Sequence, residues 1–508
     1  MFRSFFDAMD ERQRAAALLV DEMYVQASVQ YCGGEIYGYG LNAENELATT
    51  VLAVMVKSCF GGGKFLAKLI PVSTLDANFL FETVTSVISI LTDCGGHVVA
   101  LINDNNRVNQ KYFTTFTPFS LPEKPWIVKN PHVPSEPMFL MYDPTHILKN
   151  IRNNWLTEPT RSLAYPVVGC AEKKIACWGN IEELFNHEQA QFFKLSKLTK
   201  CAVHPTNIQK QNVPFTLQVF CDETKSALKT STHTSDYWKD TASFIELVVQ
   251  LWKLWNTKSV FASKRFADPD RAVITLESIH GQEVLQRWVS IASEMAPSGA
   301  TREPHTLTRD TAAALKWTCQ CMLDLTDYLL NTPQPWKHAY VSLGFFQQDD
   351  LERHFGHFRL SAGSNYYLTA KEALCTAALD RARKFLKTAD LDNIPSSMTR
   401  HKCLLCTEPL SDSDMYLLDE MAEETYINKV STDEQNAIVY IAGYVAHKNK
   451  NDAGLSGNAS DLNKEVTAFY DSQNRDGLTC PSSKFVNFAL HCLWSLCPYC
   501  IPNGAGVR

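Results

Sequence analysis

A chain of 508 residues, 45% hydrophobic and 11% aromatic, has room for two to four domains around a large core and is not generally disordered. Its formal net charge of −7 counts against a surface that is basic all over, though not against a local basic groove; the acidity is partly concentrated between Glu408 and Glu434, a solvated face or linker. The N-terminus lacks an apolar signal core, no apolar run reaches bilayer length, and the 16 cysteines are mostly scattered singly, which argues against secretion, a membrane partner and a disulfide framework.

In chain order, Ala15 to Val20 is a short apolar run that ends at Asp21. Glu35 to Leu41 alternates and carries glycines, like a second strand, and Thr49 to Val56 is a β-branched third. Gly61-Gly62-Gly63-Lys64 lacks phosphate-loop spacing and reads as a turn between strands. Apolar residues recur at helical spacing from Asp76 to Leu91, Gly95 and Gly96 break that helix, and His97 to Ile102 is another apolar run, ending at Asp104. Two strands thus end on an aspartate. Neighbouring buried strands would bring Asp21 and Asp104 side by side at one sheet edge.

Asp143 opens a segment that reads in two ways. It caps a helix whose Lys149 and Arg152 face DNA phosphates, or His146 and Leu148 simply pack that helix and the bases are solvated. Helical periodicity then dominates from about Glu158 to Trp336, notably over Ala242–Trp255 and Arg309–Leu330. In these helices Trp252, Trp255, Cys319 and Cys321 read as core or incidental residues. Lys194, Lys197 and Lys200 form a basic cluster that reads best as a solvated helix face. Phe346 to Leu360 is a further strong helix, and after Leu391 the chain becomes irregular. The expected domains are 1–157, an insertion over 158–336, a return to the first domain over 337–395, and a cysteine-containing region over 396–508.

On the helix beginning near Gln347, Leu351, Phe355 and Phe358 form an apolar stripe, and Asp349 and Glu352 share a face. A carboxylate beside such a stripe sits at the edge of the core and can point at a site. Three carboxylates can hold two divalent cations, which suit oxygen ligands and serve phosphoryl transfer. Spacing alone does not select three acids from 55, and a strand-end aspartate equally reads as a turn former or helix cap.

Five segments select them together. Leu18-Leu19-Val20-Asp21-Glu22-Met23, Leu101-Ile102-Asn103-Asp104 with Asn105 to Asn109, Asp143-Pro144-Thr145-His146 through Asn153, Gln348-Asp349-Asp350-Leu351-Glu352 with Gly363-Ser364-Asn365, and Tyr440-Ile441-Ala442-Gly443-Tyr444-Val445 occur in this order. The pattern resembles the P-element-type, THAP-domain-containing DNA transposases. The resemblance implies an α/β fold: an RNase H-like mixed sheet flanked by helices, interrupted by a largely helical GTP-binding insertion and followed by an irregular or helical C-terminal region. It implies a nuclear protein with a DDE-type site of Asp21, Asp104 and Glu352 using Mg²⁺ or Mn²⁺. Its partners would be transposon-end and target DNA, and a homo-oligomer is compatible with it. Asp93 and Asp143 compete for the second position. Asp93, however, precedes a Gly-Gly turn and Asp143 opens a helix.

The chain departs from the family in three respects. No THAP zinc finger is seen before the first strand, so recognition of transposon ends is expected to need that module or a partner. Lys197 and Asn256 in the insertion, and Asp349 beyond it, match nucleotide-contacting positions. Asn212, however, stands before Val213-Pro214-Phe215-Thr216-Leu217-Gln218 where the family has a basic residue, and Lys253 replaces an aspartate that accepts from guanine. A lysine cannot accept those bonds, which weighs against GTP dependence. The net charge is the third departure. Cys403, Cys406, Cys497 and Cys500 make two Cys-x-x-Cys pairs: either a structural zinc site or separate thiols. The alternative function is a catalytically inactive, transposon-derived DNA- or protein-binding protein.

Overall fold

The computed structural model describes residues 2–388 apart from 33–34, 44, 62, 168–171, 192, 232–234, 300, 332–337 and 364, together with a few isolated positions farther on. Its first compact unit is Met1–Phe385 and its second Leu386–Arg508. The acidic stretch 408–434 and the four candidate zinc ligands Cys403, Cys406, Cys497 and Cys500 lie outside the described residues, as does the 440–445 motif except Ala442.

A seven-stranded mixed sheet is the centre of the unit. Its strands are β1 (Ala15–Tyr24), β2 (Thr50–Ser58), β3 (Lys64–Val72), β4 (His97–Asn103), β5 (Ser120–Leu121), β6 (Lys124–Lys129) and β7 (Pro137–Tyr142). The order is β3-β2-β1-β4-β7-β6-β5. Strands β1, β2 and β3 form an antiparallel meander, β4 and β7 run parallel to β1, and β6 and β5 close the other edge antiparallel. Residues 15–20 of β1 and all of β2 are buried. Strands covered on both faces read as continuous apolar runs, which is how β1, β2 and β4 appear in the sequence.

Two strand expectations change. Glu35–Leu41 does not enter the sheet: only Glu35–Tyr37 is a strand, paired with Gln30–Cys32 in a separate hairpin. It stops at Gly38, whose φ is +114° and where an added Cβ would lie 2.0 Å from the Ser28 carbonyl oxygen. The third meander strand is instead β3, reached through Gly61 and Gly63 at φ of +84° and +111°, so the glycine run is the expected turn. β3 carries Lys64, Lys68 and Pro71, which mask its apolar pattern, and it lies at the sheet edge, where proline is tolerated.

Helix α1 (Ala77–Asp93) is capped by Asp76, which accepts from the backbone N–H groups of Asn78 and Phe79, and it ends before Gly95 at φ +83°. Helix α2 (Arg107–Thr115) follows β4, and α3 (Pro144–Thr157) follows β7 with Asp143 as its cap. The insertion carries α4 (Trp178–Gln189), α5 (Val213–Val219), α6 (Asp222–Thr230), α7 (Trp238–Trp255) and α8 (His280–Glu294). Its core is aromatic: Trp155, Trp178, Phe220 and Phe244 are buried and meet edge-on or stacked. Trp255, Cys319 and Cys321 are buried, as expected of core residues.

Helix α9 (Arg309–Asn331) packs on α8 and also returns to the sheet. There the Trp317 indole N–H donates to the Leu140 carbonyl at 2.7 Å, and the Thr318 hydroxyl donates to the Tyr142 carbonyl at 3.2 Å. Helices α10 (Asp349–Ser361) and α11 (Ala370–Thr388) complete the unit. Leu351, Phe355 and Phe358 of α10 are all buried, so the apolar stripe faces the core. Among the described residues no helix is long and apolar enough to cross a membrane.

Candidate active site

The ladder between the parallel strands β1 and β4 has Leu19 opposite Ile102 as its last pair. Asp21 lies two residues beyond that pair, still inside β1 and opposite Ala53 of β2, and Asp104 lies two residues beyond it, immediately after the last residue of β4. Asp93, in contrast, is exposed in the last turn of α1, and Asp143 is spent on capping α3.

The third acid is brought in by the start of α10. The Gln348 side-chain amide donates to the carbonyl oxygens of Val20, at 2.6 Å, and Ile102, at 3.3 Å. Its backbone N–H donates to Asp143 Oδ1 at 2.9 Å. Glu352 lies one turn on, its N–H donating to the Gln348 carbonyl at 3.0 Å. Asp350 fixes the opposite side of the helix: its nearly buried carboxylate pairs with Lys57 at 2.8 Å, Lys64 at 2.5 Å and Arg353 at 3.0 Å. Those cations outweigh the effect of burial and hold the Asp350 carboxyl well below the usual carboxylate range. α10 is thus seated on the ends of β1 and β4 and pinned to β2 and β3.

The electrostatics express this crowding. Burial pushes the Asp21 carboxyl well up, and the charges of Glu352 and Asp104 push it further, against His146. Burial and Asp104 push Glu22 up to about 7. The Asp104 carboxylate accepts from the Asn109 side chain and from the Asn106 backbone N–H. A cleft of about 360 Å³ is lined by Glu352, together with His146, Lys149, Asn212, Gln348 and Asp349.

Two basic groups face this cleft from α3. Burial lowers the Lys149 ammonium, opposed first by Glu352 and then by Asp143, Asp21 and Asp104. Burial also lowers His146, but its contact with Asp143 (Nδ1 to Oδ2, 3.1 Å) outweighs this and raises it. Asp143 itself is pushed up by burial and brought below its ordinary value by bonds from His146 and Gln348. Lys149 is therefore not solvated: it is buried and turned into the cleft that Glu352 lines. Arg152 departs further from both readings of α3: it is fully buried, with one guanidinium N–H donating to the Lys210 carbonyl at 3.0 Å. It cannot reach a phosphate on the surface.

The candidate nucleotide residues are dispersed among other partners. Lys197 is exposed and pairs with Glu223 at 2.5 Å. Lys194, Lys197 and Lys200 are solvated as expected, although Lys194 and Lys197 lie outside any helix. Asn256 terminates α7. Asp349 accepts from Lys258 at 2.8 Å and from the Thr145 hydroxyl at 3.2 Å, on the turn that carries Glu352. Lys253 is clamped between Asp222 at 2.6 Å and Asp268 at 2.9 Å. Asn212 caps α5, accepting from the Phe215 N–H at 3.3 Å.

Among the described residues no three His, Cys, Asp or Glu side chains are drawn tightly enough together to coordinate a metal ion. The donor set nevertheless suits a divalent cation. It is all carboxylate oxygen, and burial first, then the charges of Glu352 and Asp104, raise the Asp21 carboxyl, a cost that a bound cation would relieve.

Residues 2–117 match the family model of the TNP-like RNase H N-terminal domain, and residues 145–269 match that of the TNP-like GTP-binding insertion domain. Among solved structures the chain is similar to the Drosophila P element transposase strand transfer complex, with a TM-score of 0.62 and 17% identity over 77% of this chain and 81% of that one. Those two stretches are thus recognisable as TNP-like domains, while at 17% identity the structural likeness speaks for the fold alone. No curated protein matches the chain. The first family match contains β1 and β4, with Asp21 and Asp104. The second begins within α3, two residues after Asp143.

Proposed function

We propose that this chain is a P-element-like transposase body, a DDE-type enzyme that cuts DNA and joins the freed 3′ ends to a target. Asp21, Asp104 and Glu352 are its catalytic acids. The observation that carries this reading is the placement of Asp21 in β1 and Asp104 just past the neighbouring β4, each two residues beyond the last ladder pair, with the charges of Glu352 and Asp104 both felt at Asp21. Asp21 and Asp104 would hold Mg²⁺ or Mn²⁺, and Glu352 would complete the set. When bound, such ions activate an attacking oxygen and stabilise a leaving one in phosphoryl transfer. Lys149, a cation behind the acids, draws the DNA backbone phosphate into the cleft. The substrates are transposon-end and target DNA, the compartment is the nucleus, and pairing of two ends favours a homo-oligomer.

Guanine nucleotide has no part in this reading. Lys253 offers only donors and is already neutralised by Asp222 and Asp268. Calorimetric titration is expected to show no saturable preference for GTP over ATP; a clear preference would overturn this.

The catalytic reading is tested with purified protein, Mn²⁺ and transposon-end or plasmid DNA. The parent nicks or joins strands, and Asp21→Ala, Asp104→Ala and Glu352→Ala each abolish this while remaining folded. The rival, an inactive DNA- or protein-binding body, draws on Asp104, whose carboxylate is engaged by Asn109 and Asn106. A folded parent without activity decides for the rival.

A further inference from the structure

We infer that Gln348 is a positioning residue whose side-chain amide sets the spacing of Asp21, Asp104 and Glu352, replacing a ladder rung where β1 and β4 part. This rests on the reading of those acids as the metal-holding set.

The ladder stops at Leu19 and Ile102. At that level the Gln348 Nε2 donates to Val20 on one strand and Ile102 on the other. Val20 immediately precedes Asp21, Ile102 is two residues before Asp104, and the Gln348 carbonyl accepts the N–H of Glu352. One residue is therefore bonded next to, or within two residues of, all three acids.

Gln348 is also held in place. It is fully buried, and its N–H is fixed by Asp143. The neighbouring Gln347 is anchored to the insertion, donating from its side chain to the Trp255 carbonyl at 2.8 Å. The two adjacent amides thus point their bonds in two directions, one to the sheet and one to the insertion. Burying an amide costs free energy that a methionine of similar length would avoid. The Gln348 Oε1 has no hydrogen-bond partner, which adds to that cost. The bonds of Nε2 to two strand ends are what the cost secures. Carboxylates that share a cation must be held at short, fixed separation against their own repulsion, and a loosened strand pair lets them spread.

The test is direct Mn²⁺ binding to the full chain, followed by electron paramagnetic resonance of the free ion. Gln348→Met keeps the volume and removes the donor. We expect Mn²⁺ affinity per folded molecule to fall tenfold or more, with a matching rise in the Mn²⁺ needed for half-maximal cleavage and unchanged affinity for DNA. Gln348→Ala, which leaves room for water from the cleft, serves if the methionine variant does not fold, and the same fall is expected. A merely structural role would reduce the folded fraction, seen by circular dichroism, without changing affinity per folded molecule. That outcome, or parental Mn²⁺ affinity in both variants, overturns the inference while the triad stands. If instead the parent binds Mn²⁺ no better than Asp21→Ala, the triad reading falls and this inference with it.

Discussion

Replacing Asp350 by alanine tests whether α10 is held on the sheet by charge. The Asp350 and Lys57 side chains are 9% and 6% exposed, whereas those of Lys64 and Arg353 are 43% and 66% exposed. Exposed pairs contribute about 0–1 kcal/mol each, so the buried pair dominates. Removing one partner of a buried pair leaves the other charge stranded, at a cost of about 3–5 kcal/mol. Two features favour the lower end of that range. The Lys57 ammonium lies 5.2 Å from the Phe345 ring centroid, which retains some attraction. Burial also already lowers its pKa, so it can shed its proton. The expected loss is about 3 kcal/mol, read from urea unfolding followed by tryptophan fluorescence. The double variant Lys57→Met with Asp350→Ala removes the stranded charge and should recover most of that loss. A loss under about 1 kcal/mol in the single variant, or no recovery in the double, would refute the claim that a buried ion pair seats the helix.

Three further outcomes are expected. His338 is held down to about 4 by burial and by Arg12, against about 6.5 when unfolded. The unfolded chain then binds more protons between these values, so its contribution is complete above pH ~6.5 and is lost as pH falls towards ~4. Thermal unfolding across that window should show His338→Gln with a flatter pH dependence; identical slopes would disprove the assignment. Lys253→Met leaves Asp222 and Asp268 facing each other and should cost about 1–2 kcal/mol in urea, since Asp222 is partly exposed. Lys197→Met should leave the unfolding midpoint where it is. In DNA binding by fluorescence anisotropy, Lys149→Met should weaken affinity severalfold and reduce the salt slope by about one. Arg152→Met should change neither, and an equal effect of the two would place Arg152 on the DNA after all.

The parts of the fold that could be read from the sequence are those whose environment repeats along the chain. β1, β2 and β4 are buried on both faces and appear as unbroken apolar runs; α1, α7 and α9 carry their core faces at helical spacing. What was missed depends on partners distant in sequence. Lys64 interrupts the pattern of β3, and its reason for being there, Asp350, is 286 residues away. The apolar run of β7 before Asp143 was legible and is one signal that a second parallel strand leads into α3. Lys149 and Arg152 look like a basic helix face only while the Lys210 carbonyl, 58 residues away from Arg152, and Glu352 are out of view.

The same logic separates the acids from the residues that place them. Asp21 and Asp104 follow apolar runs in the sequence, but only the ordered set of five segments singles them out from the other acids. Nothing local marks Gln347 and Gln348 as amides that will be buried, and their bonds run to Trp255, Val20 and Ile102. Asp349 bonds outward too, to Lys258 just beyond α7, while Gly344 approaches Thr257 so closely that a Cβ there would lie 2.6 Å from its carbonyl oxygen. The turn that delivers Glu352 is therefore built partly by the insertion. On the proposed reading the insertion serves catalysis without guanine nucleotide, because the Lys258–Asp349 and Gln347–Trp255 bonds help fix the turn that carries Glu352.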